Sequence, residues 1–291
     1  MNISILVLTY NHEKYIQECL ESIRYQLEHY NCSGAHKVQV VVTDDCSKDT
    51  TKQKVMEWIQ KRGELFDDFV FTGSEINQGT CRNYLRGLEK VTGDYVKVIG
   101  GDDMFGMKSI FEMFAYLAEY DIVMGLPFIY FEGGENKAEC INKEARKTHF
   151  IYTEESKLPY YDWIHRYCFP NAPSNFFRKE LQFHQETLSA LYGHKYIDDY
   201  IQWIKFSEIK NISCKYIPEF VTVYRRTEGS AYLIVNKEVR EELVKTFQYA
   251  RERAREKTGK AVQTSAIYMQ KSNHPIKYFD LLSYIHKLYL F

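Results

Sequence analysis

Two adjacent carboxylates close an apolar run in the segment Val98-Ile99-Gly100-Gly101-Asp102-Asp103-Met104-Phe105. At the end of a buried strand, neighbouring Asp side chains repel each other unless positive charge sits with them. A divalent cation is the chemistry such a pair serves. Hard carboxylate oxygens suit Mg2+ or Mn2+, which bind through one or two carboxylates plus the phosphates of a substrate. A lone Asp-Asp pair can equally be a polar turn, so its company decides. The apolar run Val38 to Val42 also ends on carboxylates, in Thr43-Asp44-Asp45-Cys46-Ser47. The run Ile3 to Leu8 stops at Thr9-Tyr10-Asn11, and Asn77-Gln78-Gly79-Thr80 leads into a helical pattern through Arg82, Leu85 and Leu88.

The elements that must position these clusters are readable from periodicity. Short, continuous, β-branched runs are expected of parallel strands buried on both faces. Between them lie helical patterns, one through Tyr15, Ile16, Cys19, Leu20, Ile23 and Leu27, the next through Val55, Trp58 and Ile59. Phe69 to Phe71 is a third strand, and Tyr95 to Ile99, after a turn at Thr92-Gly93, is the strand that delivers Asp102 and Asp103. Strand-helix alternation at this spacing implies an α/β fold with a mostly parallel sheet and right-handed crossovers. Ligands of such sheets bind outside the carboxyl ends of the strands, and all the polar clusters fall on that edge.

In order and spacing, the first part of the chain, about residues 1 to 110, resembles the inverting family 2 glycosyltransferases of the GT-A type. The resemblance is carried by Leu8-Thr9-Tyr10-Asn11, Asp44-Asp45-Cys46-Ser47-Lys48-Asp49, Asn77-Gln78-Gly79-Thr80-Cys81-Arg82-Asn83, Gly93-Asp94-Tyr95 and Asp102-Asp103. It implies a GT-A, Rossmann-like sheet flanked by helices and a nucleotide-sugar donor, UDP-linked. The implied donor pocket comprises Thr9, Tyr10, Asn11, Asp44, Asp45, Asn77, Gly79, Arg82 and Asp102, with Thr9, Tyr10 and Asp45 nearest the base. The implied cofactor is Mn2+ or Mg2+ held by Asp103 and Asp102. Many relatives carry Asp-x-Asp or Asp-x-Asp-Asp, whereas Gly100-Gly101 stand before the pair here, which leaves Asp103 as the ligand the motif supports best. Asp44 has a second reading as a helix cap, given its Asp-x-x-Ser spacing. Arg82 is read either as a phosphate or base contact or as half of a surface salt bridge.

An inverting transfer also needs a base for the acceptor hydroxyl. Tyr196-Ile197-Asp198-Asp199-Tyr200 opens an apolar helix and resembles the family's Glu-Asp segment, which puts Asp199 on the base and Asp198 in support. The alternative is that both Asp residues cap the helix and favour its dipole. Asn171 to Arg178 resembles the acceptor-side strand and loop. Val223-Tyr224-Arg225-Arg226-Thr227-Glu228-Gly229-Ser230 resembles a segment whose basic side chain closes over the diphosphate, with Arg225 and Arg226 as candidates or as solvated charges, and Gly229-Ser230 as a pivot.

Composition sets bounds. With 291 residues, 45% of them hydrophobic, the chain can bury a full core. No run of about 18 apolar residues occurs, and Met1 leads straight into a core strand; the expectation is therefore no spanning helix, no signal peptide and a cytoplasmic protein. The seven cysteines and nine histidines show no metal-ligand spacing, so reduced thiols are expected. A net charge of -1 argues against a nucleic-acid surface. The expected organisation is a catalytic domain over 1–230, with a nucleotide-sugar-binding half (1–110) and an acceptor-binding half (111–230), then a helical extension over 231–291. Val235 to Thr258 reads as an amphipathic helix. Ile276 to Phe291, aromatic and cationic, is expected either to lie on the inner face of the plasma membrane or to pack on this domain or on a second copy in a homodimer.

The functional expectation is a metal-dependent inverting transferase of hexosyl or N-acetylhexosaminyl groups. Its acceptor is a glycan, lipid-linked or protein-linked hydroxyl, in bacterial surface polysaccharide or glycoconjugate synthesis. A sugar-phosphate nucleotidyltransferase would carry a Gly-rich loop with Arg and Lys where Thr9-Tyr10-Asn11-His12 stands. A non-catalytic, receiver-like nucleotide-binding module would leave the half containing Asp198-Asp199 without a purpose.

Overall fold

The computed structural model describes residues 1–132, 160–166, 172–226 and 237–258. Asn171, Gly229-Ser230 and the Ile276 to Phe291 segment lie outside the described residues. In chain order the first half runs β1 (Asn2–Thr9), α1 (Ile16–Tyr30), β2 (Lys37–Asp44), α2 (Thr51–Arg62), β3 (Asp68–Gly73), α3 (Thr80–Leu88) and β4 (Tyr95–Gly100). These strands form one parallel sheet in the order β3-β2-β1-β4. The alternation within β1 explains its layers. Ile3, Ile5 and Val7 face a core shared with α1 and α2, whereas Leu6 faces α3 together with Val41 and Val96. Each such side chain taken fully out of water contributes about 1.5–3 kcal/mol.

The second half builds a sheet of its own. β5 (Met104–Phe105), α4 (Ile110–Tyr116), β6 (Ile122–Phe131), α5 (Tyr160–Arg166), β7 (Asn175–Phe177), α6 (Lys179–Gln182), α7 (Gln185–Tyr192), α8 (Asp198–Ile209), β8 (Cys214–Arg226) and α9 (Lys237–Thr258) follow. The sheet order is β5-β8-β6-β7, with β6 and β8 parallel and the outer pairings antiparallel. The two sheets meet at β4 and β7. Lys97 of β4 is buried there, donates to the Asn175 carbonyl at 2.8 Å and lies 4.7 Å from the Phe176 ring centre; burial pushes its pKa down to about 7. Val123, Phe176, Ile217 and Val221 of the second sheet complete the core that Ile3, Ile5 and Val7 begin. The amphipathic pattern read from Val235 onward is helix α9, whose Val244, Phe247 and Ala250 pack with Tyr200, Trp203, Ile204 and Phe206 of α8. Among the described residues, no helix is long and apolar enough to cross a membrane.

Candidate active site

The carboxyl ends of β1, β2 and β4 form one edge, held by main-chain bonds from Asp45 N–H to the Thr9 carbonyl (3.0 Å) and from Gly101 N–H to the Leu8 carbonyl (2.8 Å). Thr9 is buried and Tyr10 is 42% exposed at the rim of this edge. The Thr9 hydroxyl and His12 Nδ1 are buried with no hydrogen-bond partner among the described residues. Asn11, at φ 56°, donates its N–H to Ser47 Oγ and accepts the Lys48 N–H, each at 2.8 Å, and so ties the first turn to the second. Asp44 accepts the Ser47 N–H at 2.8 Å and its hydroxyl as well, closing a turn ahead of α2; that helix begins at Thr51, so Asp44 does not cap it.

Asp45 serves the next loop. Buried, it accepts the main-chain N–H groups of Gln78 (3.0 Å) and Gly79 (2.7 Å), with the Arg86 guanidinium 3.9 Å away. Burial still holds its pKa above the usual carboxylate range against those donors. Asn77 is exposed at the lip of this loop. Gly79 is required twice over, since its φ is 89° and a Cβ there would stand 2.5 Å from the Lys195 carbonyl oxygen. Gly79→Ala is therefore expected to lower stability by about 1–3 kcal/mol, measured by urea unfolding, and to weaken nucleotide binding with it.

Arg82 differs from its expected role. Its guanidinium donates to the Tyr192 carbonyl at 3.1 Å and lies over the Tyr192 ring at 4.6 Å, at the end of α7. The guanidinium beside Asp45 belongs to Arg86, one turn further along α3, which also bonds Asn83 and Gln78. An (i, i+4) reading from Arg82 would have found it.

Beyond β4, the chain folds back so that both carboxylates converge on Gly100. A Cβ on Gly100 would lie 2.7 Å from Asp102 Oδ1 and 3.3 Å from Asp103 Oδ2, so the glycine in place of the motif's usual Asp is what lets the pair close. Asp103 is 3% exposed and its Oδ1 accepts the Arg225 N–H at 2.9 Å. Burial and the Asp102 charge hold it well above the usual carboxylate range, although Lys97 and Arg225 pull the other way. Asp102 is the more accessible of the two, with His12 Nε2 3.9 Å away. The motif supports Asp103 best as a ligand, and it is the more buried of the two. The pair fits a hard divalent cation: the donors are carboxylate oxygens, they converge, and the surrounding charge leaves them short of neutralisation. Among the described residues no group of three or more His, Cys, Asp or Glu side chains is placed to hold a metal ion.

Arg225 is a correction. It is buried, not poised at the surface: Nε donates to the Asp102 carbonyl at 2.9 Å, a terminal nitrogen meets Glu18, and the guanidinium is sandwiched 4.8 Å from the Tyr15 ring and 5.5 Å from the Tyr130 ring. Its main-chain N–H to Asp103 and its Nε to the Asp102 carbonyl together brace the Asp102-Asp103 turn. Arg226 lies over the Tyr224 ring at 5.9 Å.

Asp198 and Asp199 begin α8. Asp199 accepts its neighbour Tyr200's N–H at 2.6 Å; the N-cap position itself is Ile197, so the two carboxylates sit in the first turn, where they favour the helix dipole, and do not cap the helix. Burial pushes both carboxyls above the usual range, and their mutual repulsion raises Asp198 further. The Asp198 charge is felt by Cys81 and Tyr84 on α3. Tyr224, one residue before the Asp103 partner Arg225, joins the two halves of the site. Burial raises its phenol, and Asp103, Asp102 and Asp199 all act on it electrostatically. The metal-type pair and the base candidate thus both act electrostatically on Tyr224, a residue that sequence reasoning passed over.

Comparison with known proteins agrees with this geometry. The family described as "Glycosyl transferase family 2" matches residues 4–177. An uncharacterized glycosyltransferase of Mycoplasma genitalium is 29% identical over 155 residues, which is 53% of this chain and 48% of that protein. The chain thus aligns with about half the length of that relative. Staphylococcus aureus TarS 1–349 solved with UDP-GlcNAc superposes with a TM-score of 0.56 at 20% identity, covering 84% of this chain and 65% of that one. The mannosyltransferase PcManGT of Pyrobaculum calidifontis, solved with GDP-Man and Mn2+, gives a TM-score of 0.58 at 16% identity over 99% of this chain and 80% of that one. These likenesses establish the GT-A type of fold, and with more than half its residues matched the chain belongs to glycosyl transferase family 2.

Proposed function

We propose that this protein is a metal-dependent inverting glycosyltransferase that moves a sugar from a nucleoside diphosphate to a hydroxyl of a glycan, lipid-linked or protein-linked acceptor. The observation that carries the reading is the convergence of the Asp102 and Asp103 carboxylates on Gly100, just past the carboxyl end of the parallel sheet, in a chain of glycosyl transferase family 2. As the glycosidic bond breaks, the leaving diphosphate gathers negative charge while the sugar carbon becomes cation-like. Mg2+ or Mn2+ held by Asp102 and Asp103 would supply Lewis-acid stabilisation of that diphosphate. Mn2+ stands with GDP-Man in PcManGT, and UDP-GlcNAc in TarS supports a nucleotide-sugar donor of the same kind here.

The chain's own residues then divide the labour. Tyr10 offers its exposed ring to the base, and Asp45 fixes the Gln78-Gly79 main chain at the pocket wall. The orphaned Thr9 hydroxyl supplies a polar contact beneath the donor. Asp199 takes the acceptor proton, and its raised pKa strengthens it as a base in the ionised form. The expected result of a nucleotide-sugar panel is hydrolysis of one donor in Mn2+, measured as released nucleoside diphosphate and abolished by chelator. Equal release from every donor with and without metal would overturn the reading.

A further inference from the structure

On α9, Glu238, Glu242 and Thr246 recur at four-residue spacing and form one stripe. That stripe grips the four residues leading into Asp198-Asp199. Glu242 Oε2 accepts the Lys195 N–H at 2.9 Å, and Oε1 accepts those of Tyr196 (2.8 Å) and Ile197 (2.7 Å). The Tyr196 hydroxyl donates to Glu238 at 2.8 Å, and Thr246 Oγ1 lies 3.3 Å from His194 Nε2. Three main-chain donors on one carboxylate are charge-assisted bonds, stronger than neutral ones and directional.

The same loop reaches the donor side of the cleft. The Lys195 carbonyl accepts the Cys81 N–H at 3.0 Å, beside Gly79, whose own N–H goes to Asp45. At the other end of α8, the Tyr249 hydroxyl of α9 donates to Glu208 at 2.9 Å and Arg253 Nε reaches it at 3.2 Å. α9 therefore holds α8 at both ends, and it does so from residues beyond the 4–177 stretch that the family match covers.

We infer that Glu242 is the positioning residue of the catalytic base, setting the place of Asp199 from the C-terminal helix; the inference rests on the reading of Asp199 as that base. Without the three N–H bonds, the entry into α8 loses its main-chain anchor on α9 and keeps side-chain contacts such as Tyr196 with Glu238 and His194 with Thr246, and a base displaced by about 1 Å can lose on the order of 10² in rate. Glu242 also acts through charge. The groups around Asp198 are Asp199 on its own helix, Glu242 on α9, and Cys81 and Tyr84 on α3, and the Glu242 charge raises the Asp198 carboxyl.

The test uses the whole 291-residue chain with Glu242→Gln, Glu242→Asp and Asp199→Asn in parallel. Four quantities are compared: UDP affinity in Mn2+ by calorimetry, kcat and KM for the donor the panel identifies, the pH profile of kcat, and amide exchange over 195–201. Glu242→Gln is expected to keep UDP affinity and KM, to exchange faster over 195–197, and to lose on the order of 10 to 10² in kcat. Its acid limb should move to lower pH, since removing a negative neighbour eases ionisation of the Asp pair. Glu242→Asp, which keeps the charge, should hold the limb in place. If Glu242→Gln shows native kcat and an unmoved limb while Asp199→Asn is inactive, this inference fails and the base assignment stands. If Asp199→Asn turns over at the native rate, the base assignment itself fails. A Glu242→Gln protein that loses UDP affinity and kcat in equal measure has lost only a brace, which also overturns the proposal.

Discussion

Asp199→Asn should fold normally, bind the nucleotide with near-native affinity, and lose on the order of 10² to 10⁴ in transfer rate. The amide keeps the shape and can still accept the Tyr200 N–H, so the helix start survives. What goes is the ability to take a proton from the acceptor hydroxyl. Asp198→Asn should lose less, because it supports the base without being it. The pH dependence follows from the direction of the shifts. Both carboxyls are raised, so the base is protonated, and kcat falls, at a higher pH than an ordinary carboxylate would give. Stability has the opposite sense. A raised carboxyl favours the folded state below its unfolded pKa, and that contribution is lost as pH rises through the raised value. Stopped-time product assays across pH, with thermal melts on the same samples, would show kcat rising over the range in which this contribution to stability declines. A native transfer rate in Asp199→Asn with inverted product would reassign the base.

The second large effect is expected at the convergent pair. Asp102→Asn and Asp103→Asn should each lose on the order of 10² or more in transfer, and Mn2+ should no longer improve UDP affinity in either. Asn at 103 retains an oxygen for the Arg225 N–H, so the turn can persist while the charge is lost. The structure adds a distinction that the motif alone did not. Asp102 is the accessible carboxylate, and its loss should act on metal and nucleotide binding alone. Asp103 is buried over Arg225, and its substitution should also shift the melting temperature. Calorimetry in Mn2+ and in chelator decides the matter: equal UDP affinity in the two for the unaltered protein would remove the metal from this account.

Much of the donor half was legible because its signals are local. β1, β2 and β4 are continuous apolar runs whose polar ends fall on one edge of a parallel sheet, and the four clusters announce that edge in order. Which polar side chain faces the cleft was less so, since it depends on bonds between distant loops. Asp45 is occupied by Gln78 and Gly79, Arg82 turns to Tyr192, and Arg86 takes the place beside Asp45. Arg225 looked like a mobile surface charge because its partners Glu18, Tyr15 and Tyr130 lie far away in sequence. The second sheet was the least legible. β6 and β8 pair in parallel across some ninety residues, with register shifts near Leu126, and no short-range pattern encodes that pairing. Glu242 belongs to the same class, a charge on an amphipathic helix whose partners lie some forty-five residues earlier.

The core that runs unbroken through both sheets has an evolutionary consequence. Val123, Phe176, Ile217 and Val221 lie against the inner face of the donor sheet, and Lys97 is buried between the two sheets with its ammonium on a β7 carbonyl. The described residues of the two stretches read from the sequence as donor and acceptor halves therefore share one core and are not separable in folding. A lineage that acquired a new acceptor by exchanging the second stretch wholesale would have to bring a matching set of apolar residues and a carbonyl for Lys97. Change confined to the rims of the cleft carries no such requirement, and it is the route by which relatives with this scaffold can diverge in acceptor while the donor edge stays as it is.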